Sequence, residues 1–243
     1  MGEPQLSVVI PAYNEADVIG GTIAGISEAL AASRITHEVI VVDDGSADRT
    51  REVVKGFAAS APAIRLLESG HRGKGGAIKH GMLAARGRYV LFLDADYSTR
   101  IDEFQNCLPW LRNGCEVVIG SRKMPGAVVA VHQPALREFM GKGFTWLTDL
   151  LLGLCVTDIT CGFKCFQAEA ARQIFRRQRL DGWGFDAEIL FLARRLGYRI
   201  QEVPVVWRND ATTKVRLVRD TVRSFAELVQ IRLGAWRGWY PRA

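Results

Sequence analysis

Asp94 and Asp96 flank Ala95 at the end of the apolar run Tyr89 to Leu93. An Asp-x-Asp at the C-terminal end of a buried strand presents two hard oxygen ligands at the mouth of an α/β sheet. A divalent cation held there, Mg2+ or Mn2+, can bind a diphosphate and stabilise it as a leaving group. Many strands end in acidic turns, so the tripeptide alone is a weak signal. A second acidic pair, Asp43 and Asp44, ends an earlier run of the same kind, Glu38 to Val42. Taken alone, that pair also reads as an Asx turn capping the next helix. Gly73, Gly75 and Gly76 around Lys74 can bring backbone close to a ligand and set a cation beside phosphate. Alone they also read as a flexible turn, and the spacing of a P-loop is missing. His37, His71, His80 and His132 have no metal-ligand spacing.

The elements that must position these residues alternate in type. Leu6 to Ile10, Glu38 to Val42, Ile64 to Glu68, Tyr89 to Leu93 and Val117 to Gly120 read as strands. Ala16 to Ser33, Asp48 to Ser60 and Ala77 to Ala85 read as helices, the second with Ser46 as its N-cap. Strands separated by helices imply βαβ units, hence an α/β chain with a mostly parallel central sheet flanked by helices. Ligands of such sheets sit at the C-terminal strand ends. The polar clusters Pro11 to Glu15, Asp43 to Ser46, Asp94 to Ser98 and Gly120 to Arg122 all fall there. Further on, Gly126 to Pro134 reads as a loop, Leu136 to Cys155 as a helix and Asp158 to Lys164 as a polar turn. Glu169 to Arg177 and Phe185 to Leu196 read as helices and Arg199 to Trp207 as a strand. Val215 to Trp236 carries a one-sided apolar stripe: Val218, Val222, Phe225, Val229, Leu233 and Trp236.

The 243 residues are 48 % apolar, enough for a sizeable core. Cys107, Cys115, Cys155, Cys161 and Cys165 are odd in number and scattered, which suits reduced thiols in a cytosolic protein. The sequence runs at once into a strand, so no signal peptide is expected, and no window is long and apolar enough for a spanning helix. The net charge is +6, concentrated at the C-terminal end. Its Arg residues lie among Trp207, Phe225, Trp236, Trp239 and Tyr240, which suits a membrane surface better than nucleic acid.

Eight stretches in order give the chain a resemblance. They are SVVIPAYNE (7–15), EVIVVDDGSADRT (38–50), RGKGGAIKHGMLAARG (72–87), LFLDADYST (91–99), GSR (120–122), TDITCGFKCF (157–166), GWGFDAEIL (182–190) and EVPVVW (202–207). Together they resemble a family 2 glycosyltransferase with a GT-A fold. The polyprenyl-phosphate sugar synthases are nearest: dolichyl-phosphate glucosyltransferases and, more distantly, dolichyl-phosphate mannose synthases. The resemblance implies a GT-A domain over 1–207, then an acceptor loop and a basic amphipathic helix over 208–243 in the same structural unit. It implies a nucleotide site with Pro11, Tyr13 stacking on the base, Glu15, Asp43, Asp44, Gly73, Lys74 and Asp94. It implies a metal site at Asp94 and Asp96, where Ser98 replaces a glutamine of the mannose synthases. Arg122, Arg137, Arg208 and Lys214 would hold an acceptor phosphate, and Asp158 would lie near the donor sugar. Gly141 stands where the mannose synthases have a serine after Arg137.

The expected reaction is inverting transfer of a hexose from a nucleotide-diphosphate sugar to a polyprenyl phosphate, dolichyl or undecaprenyl. RGKGG favours UDP-glucose, with GDP-mannose next. Such an acceptor is already an anion and needs cations rather than a base. A transferase acting on a sugar hydroxyl would need one, with Asp158 or Asp186 as candidates. Asp186 also reads as a helix cap, and Glu188 as a partner of Arg194 or Arg195. A nucleotide-binding regulator without turnover is the remaining alternative, against which the intact Asp-x-Asp argues. The expected location is peripheral, on the cytoplasmic face of a membrane.

Overall fold

A strand of a parallel sheet is covered on both faces, so its sequence is a continuous apolar run rather than an alternation. The runs noted above do become strands, and the acids that end them are thereby placed along one edge. The computed structural model describes residues 3–130, 135–208 and 217–240; the side chains of residues 135–140, 142 and 217–222 lie outside that description. Strands β1 (Leu6–Ala12), β2 (His37–Asp43), β3 (Ile64–Glu68) and β4 (Tyr89–Phe92) are parallel neighbours. With β5 (Val117–Ser121), β7 (Lys164–Gln167) and β8 (Ile200–Pro204) they form a seven-stranded sheet in the order β3-β2-β1-β4-β7-β5-β8. A two-stranded ribbon pairs β6 (Val128–Val129) with β9 (Val206–Trp207).

Helices cover both faces. Val8 and Ile10 point into one core with Ile19 and Ile23 of α1 (Ala16–Ala32), Val54 of α2 (Thr50–Ser60) and Phe104 of α4 (Phe104–Arg112). Val9 and Phe92 point into the other, with Ile78 of α3 (Lys74–Ala84), Ile174 of α6 (Ala168–Arg177) and Phe185 of α7 (Phe185–Arg195). Leu228 and Ile231 of α8 (Leu217–Trp236) enter this second core, and α5 (Ala135–Leu152) packs beside α8 with Phe144 edge-on to Phe225 at 5.9 Å.

Several expectations change. β7 runs antiparallel between β4 and β5, inside what reads as a polar turn and its exit. The turn ends at Phe163, because Lys164 is fully buried in the strand. Residues 126–134 do not form a loop throughout, since β6 lies within them. α2 starts at Thr50, not Asp48: Asp48 Oδ1 accepts the Thr50 N–H at 2.9 Å, and Ser46 Oγ instead accepts the Asn14 N–H at 2.9 Å. α4 carries Pro109 in its interior, which hides it from pattern reading. Among the described side chains the apolar stripe of α8 divides: Phe225 packs against the core, and the rest faces outward, as a membrane-facing stripe would. Val229, Leu233 and Trp236 are exposed, while Ser224, Glu227, Leu228 and Ile231 are buried. Glu227 faces inward because it accepts the Gly184 N–H at 2.6 Å.

Candidate active site

The first wall of the site is built by two carboxylates at the end of β2. Asp43 Oδ2 accepts the N–H groups of Gly45 and Ser46 at 3.1 and 3.2 Å, so the Asx-turn reading holds for that oxygen. Its other oxygen, Oδ1, is buried and has no hydrogen-bond partner among the described residues. A buried acceptor left so costs about 1–3 kcal/mol, which a ligand N–H would recover. Asp44 is fully engaged. It accepts Ser69 Oγ–H at 2.6 Å and the N–H groups of Arg72 and Gly73 at 2.7 and 2.8 Å. It thereby folds the glycine-rich segment onto the strand end. Gly73 sits at φ 104°, where a side chain would also stand 2.7 Å from the Asp181 carbonyl. That carbonyl receives the N–H groups of Gly75 and Gly76 at 2.9 and 3.2 Å and so caps α3. The close backbone approach expected of these glycines is made to the Asp181 segment. Tyr13 is exposed at the end of β1, its ring centroid 4.7 Å from that of His71. Pro11 and Glu15 on either side are half-buried, and the Glu15 N–H is held by Thr50 Oγ1 at 2.8 Å.

Asp94 and Asp96 follow β4 at the centre of the same edge. Lys74 Nζ is paired with Asp94 Oδ1 at 2.6 Å and lies 5.4 Å from the centre of the Trp183 ring. Burial alone would lower the Lys74 ammonium pKa, but the charges of Asp94, Asp186 and Asp96 outweigh it and the net shift is upward. Asp96 opens to solvent, yet the protein atoms crowding it, and then the charge of Asp94, raise its carboxyl pKa. A Cβ on Gly162 would overlap the Asp94 carboxylate and force it to move. Behind lies the buried Lys164, which donates to Asp186 Oδ1 at 2.5 Å and to the Cys161 carbonyl at 2.6 Å. Burial raises the Asp186 carboxyl pKa despite the opposing Lys164 charge.

Two close carboxylates of this kind fit a hard divalent cation. Among the described residues no group of three or more His, Cys, Asp or Glu is arranged to hold a metal. Asp94 and Asp96 would therefore supply two ligands, with waters or diphosphate oxygens in the remaining positions, as Mg2+ commonly accepts. Ser98 donates its backbone N–H to Asp96 Oδ1 at 2.9 Å, and its buried hydroxyl has no hydrogen-bond partner among the described residues.

The far wall holds Arg122 and Asp158. The guanidinium grips the carboxylate in a fork, Nε to Oδ2 and Nη2 to Oδ1, both at 2.7 Å, and the Arg122 N–H adds a third bond at 2.9 Å. Burial would raise Asp158, but the bonds and charge of Arg122 hold it below the usual carboxylate range. Arg122 also lies 5.3 Å from the Trp207 ring centre. Arg208 is exposed beside it, its N–H donated to Ser98 O at 2.9 Å, so it stands near the Asp-x-Asp turn. The Arg137 side chain and Lys214 lie outside the described residues.

Sequence reasoning missed Lys164, Asp181, Trp183 and Glu227. The runs TDITCGFKCF and GWGFDAEIL contain Lys164 and Trp183 but gave no sign of their pairings. Glu188 does not pair with Arg194 or Arg195; it accepts the N–H groups of Arg179 and Leu180 at 2.9 and 2.8 Å and the Tyr240 hydroxyl at 2.7 Å. That network ties the C-terminal Tyr240 to the segment that caps α3.

Known proteins resemble this chain in sequence and fold. Residues 7–175 match the sequence profile described as Glycosyl transferase family 2. A dolichyl-phosphate beta-glucosyltransferase of Trichomonas vaginalis is 36 % identical over 250 residues, covering 96 % of this chain and 74 % of that protein. The dolichyl-phosphate beta-glucosyltransferase of Saccharomyces cerevisiae is 31 % identical, covering 97 % of this chain and 76 % of that protein. Glucosyl-3-phosphoglycerate synthase from Mycobacterium tuberculosis, crystallised with Mn2+, UDP and glucosyl-3-phosphoglycerate, superposes with a TM-score of 0.67 at 23 % identity. The match covers 94 % of this chain and 80 % of that one, a likeness of fold: the architecture is GT-A. With a profile matched over most of its length and relatives alike along nearly all of it, the chain belongs to glycosyl transferase family 2.

Proposed function

We propose that this chain is a metal-dependent inverting transferase that moves a hexose from a nucleotide-diphosphate sugar to a polyprenyl phosphate. Glucose from UDP-glucose is favoured, because the curated relatives above are dolichyl-phosphate beta-glucosyltransferases; mannose from GDP-mannose is next. The observation that carries the acceptor assignment is the state of the two candidate bases. Asp158 is locked by Arg122 and Asp186 by Lys164. Neither is placed to take a proton from a sugar hydroxyl, and a phosphate acceptor needs no such group.

In this reading the base stacks on Tyr13, between the side chains of Pro11 and Glu15. Its N–H donates to the unpartnered Oδ1 of Asp43, an interaction open to uracil and guanine alike. Asp44 holds the Gly73 backbone and so sets Lys74 toward the diphosphate. Mg2+ or Mn2+ on Asp94 and Asp96, when bound, supplies Lewis-acid stabilisation of the departing diphosphate. The acceptor phosphate is held by the charges of Arg122, Arg137, Arg208 and Lys214. Its oxygen attacks the anomeric carbon from the face opposite the leaving group. The bond to the diphosphate breaks with its electron pair, and the new linkage has the opposite configuration. Asp158 acts by fixing Arg122 rather than as a base.

The membrane reading rests on exposed apolar side chains of two helices packed together. Trp146 and Leu150 on α5 and Val229, Leu233 and Trp236 on α8 are between 39 % and 72 % exposed. Arg232 lies over Trp236 at 5.4 Å. Aromatic and aliphatic side chains beside arginine suit the headgroup region of a bilayer. Among the described residues no helix is long and apolar enough to cross a membrane. The attachment proposed is peripheral, on the cytoplasmic face.

A donor panel tests the function. Purified protein, Mn2+ and dolichyl or undecaprenyl phosphate in detergent are incubated with radiolabelled UDP-glucose, GDP-mannose or other nucleotide sugars. Label should enter the organic phase from UDP-glucose first. Label that enters only free sugars or glycans, whatever the donor, would overturn the lipid-phosphate assignment.

A further inference from the structure

We propose that Lys74 is an internal counter-cation of Asp94 that makes divalent-cation binding at the Asp94/Asp96 pair conditional on the nucleotide diphosphate. The inference rests on the nucleotide-sugar reading of the site and adds a rule for the order in which it fills.

The Lys74 ammonium and a metal ion compete for the same carboxylate. Nζ stands 2.6 Å from Asp94 Oδ1, in direct ion-pair contact, and the two side chains are only 22 % and 34 % exposed. Solvent therefore screens the pair poorly. The lysine backbone is fixed on both sides. Asp44 accepts the Gly73 N–H at 2.8 Å, and the Asp181 carbonyl accepts those of Gly75 and Gly76. The side chain, by contrast, is a flexible stem whose head lies 5.4 Å from the Trp183 ring centre.

The surrounding charge makes the competition steep. Asp94, Asp96 and Asp186 face Lys74 and Lys164, which leaves one net negative charge on the cluster. Asp186 is already paired with Lys164, so it offers Lys74 no equivalent second berth. A divalent cation entering alone must displace an ammonium whose other acidic neighbours are the second metal ligand, Asp96, and the Lys164 partner, Asp186, or sit beside it at close quarters. A diphosphate removes the conflict. It gives Lys74 a new anionic partner and leaves the Asp94 carboxylate to the metal. Binding of the two ligands is then positively coupled, and by linkage each strengthens the other equally.

The test is direct Mn2+ binding, read by the electron paramagnetic resonance signal of free Mn2+, for wild type, Lys74→Met and Lys74→Gln, each with and without UDP. Thermal melts check that the variants fold. Removing the lysine should strengthen binding of Mn2+ alone by roughly tenfold and cut the UDP-dependent gain to a few-fold, within the usual span of such couplings. If either folded variant binds Mn2+ alone no more tightly than wild type, the counter-cation role is wrong. If both variants unfold, wild type still decides. Lys74 kept on Asp94 must make Mn2+ alone bind weakly, and Mn2+ binding that is tight and indifferent to UDP overturns the proposal. Failure of every form to bind UDP, with Mn2+ alone still strengthened in the variants, would sink the nucleotide reading while leaving the lysine–metal competition standing.

Discussion

Asp158→Asn should destabilise the protein at neutral pH and lose that effect in acid. The substitution keeps the shape of the side chain and removes its charge. In the wild type, Asp158 is 1 % and Arg122 20 % exposed, and the fork between them is made of two 2.7 Å bonds. Breaking a buried ion pair from one side costs about 3–5 kcal/mol, because the other charge is left uncompensated. Asparagine keeps one acceptor oxygen, and Arg122 Nη2 keeps Thr160 Oγ1 at 3.1 Å, so the expected loss is roughly 2–4 kcal/mol. For a chain of this size that lowers Tm by about 5–12 °C. The sign with pH follows from linkage. The native Asp158 carboxyl pKa is depressed, so its contribution is complete above the unfolded value near 3.9. It fades as pH falls through the lower native value. Urea melts followed by circular dichroism at several pH values should therefore give a wild-type-to-variant gap that is flat from about pH 8 to 5 and narrows below about pH 4. A gap under about 0.5 kcal/mol at pH 7, or one that persists undiminished in acid, would refute the ion-pair account.

Asp96→Ala should abolish transfer while moving Tm by only a few degrees, since the side chain opens to solvent; full activity of this variant in chelator-treated buffer would remove the metal assignment. Asp43→Asn should keep the turn bonds to Gly45 and Ser46 but turn an NH2 toward the nucleobase, weakening UDP binding about 10- to 100-fold by calorimetry; unchanged affinity would mean that Oδ1 does not face the base. Leu233→Ala with Trp236→Ala should reduce sedimentation with vesicles of acidic lipid without lowering Tm, because both side chains are exposed; a double variant that binds as well as wild type would place the membrane contact elsewhere.

How much of this was legible depends on how local the cause is. The strand runs of β1, β2 and β4 could be read because two-sided burial leaves an unbroken apolar stretch, and the acids ending them then fall at the sheet edge by topology alone. β7 could not be read. Its four residues, Lys164 to Gln167, include a lysine that is tolerated in the core only because Asp186 and the Cys161 carbonyl lie against it. In α8 the inward face, not the outward one, escaped reading for a related reason. The helix carries two apolar stripes about one residue apart, and the one interrupted by Ser224 and Glu227 turns inward. A buried Glu227 makes sense only with the Gly184 N–H in place, which no periodicity reveals. The vesicle test accordingly uses point variants. Truncation after Arg232 would also remove Tyr240, which is 1 % exposed and hydrogen-bonded to Glu188. The placement of Asp43, Asp94, Asp96 and Arg122 at strand ends was legible, but their pairings were not. Lys74 with Asp94 and Arg122 with Asp158 are products of the fold.

The acceptor oxygen is proposed to belong to a phosphate and to be glycosylated with inversion. Nuclear magnetic resonance of the purified lipid product decides it, with 31P for the linkage and the 1H–1H coupling at the anomeric carbon for its configuration. From the α-linked donor UDP-glucose, the expected product gives a phosphodiester resonance and a β-configured sugar. An unchanged phosphomonoester with the hexose on a hydroxyl group, or an α-configured glycosyl phosphate, would contradict the proposal.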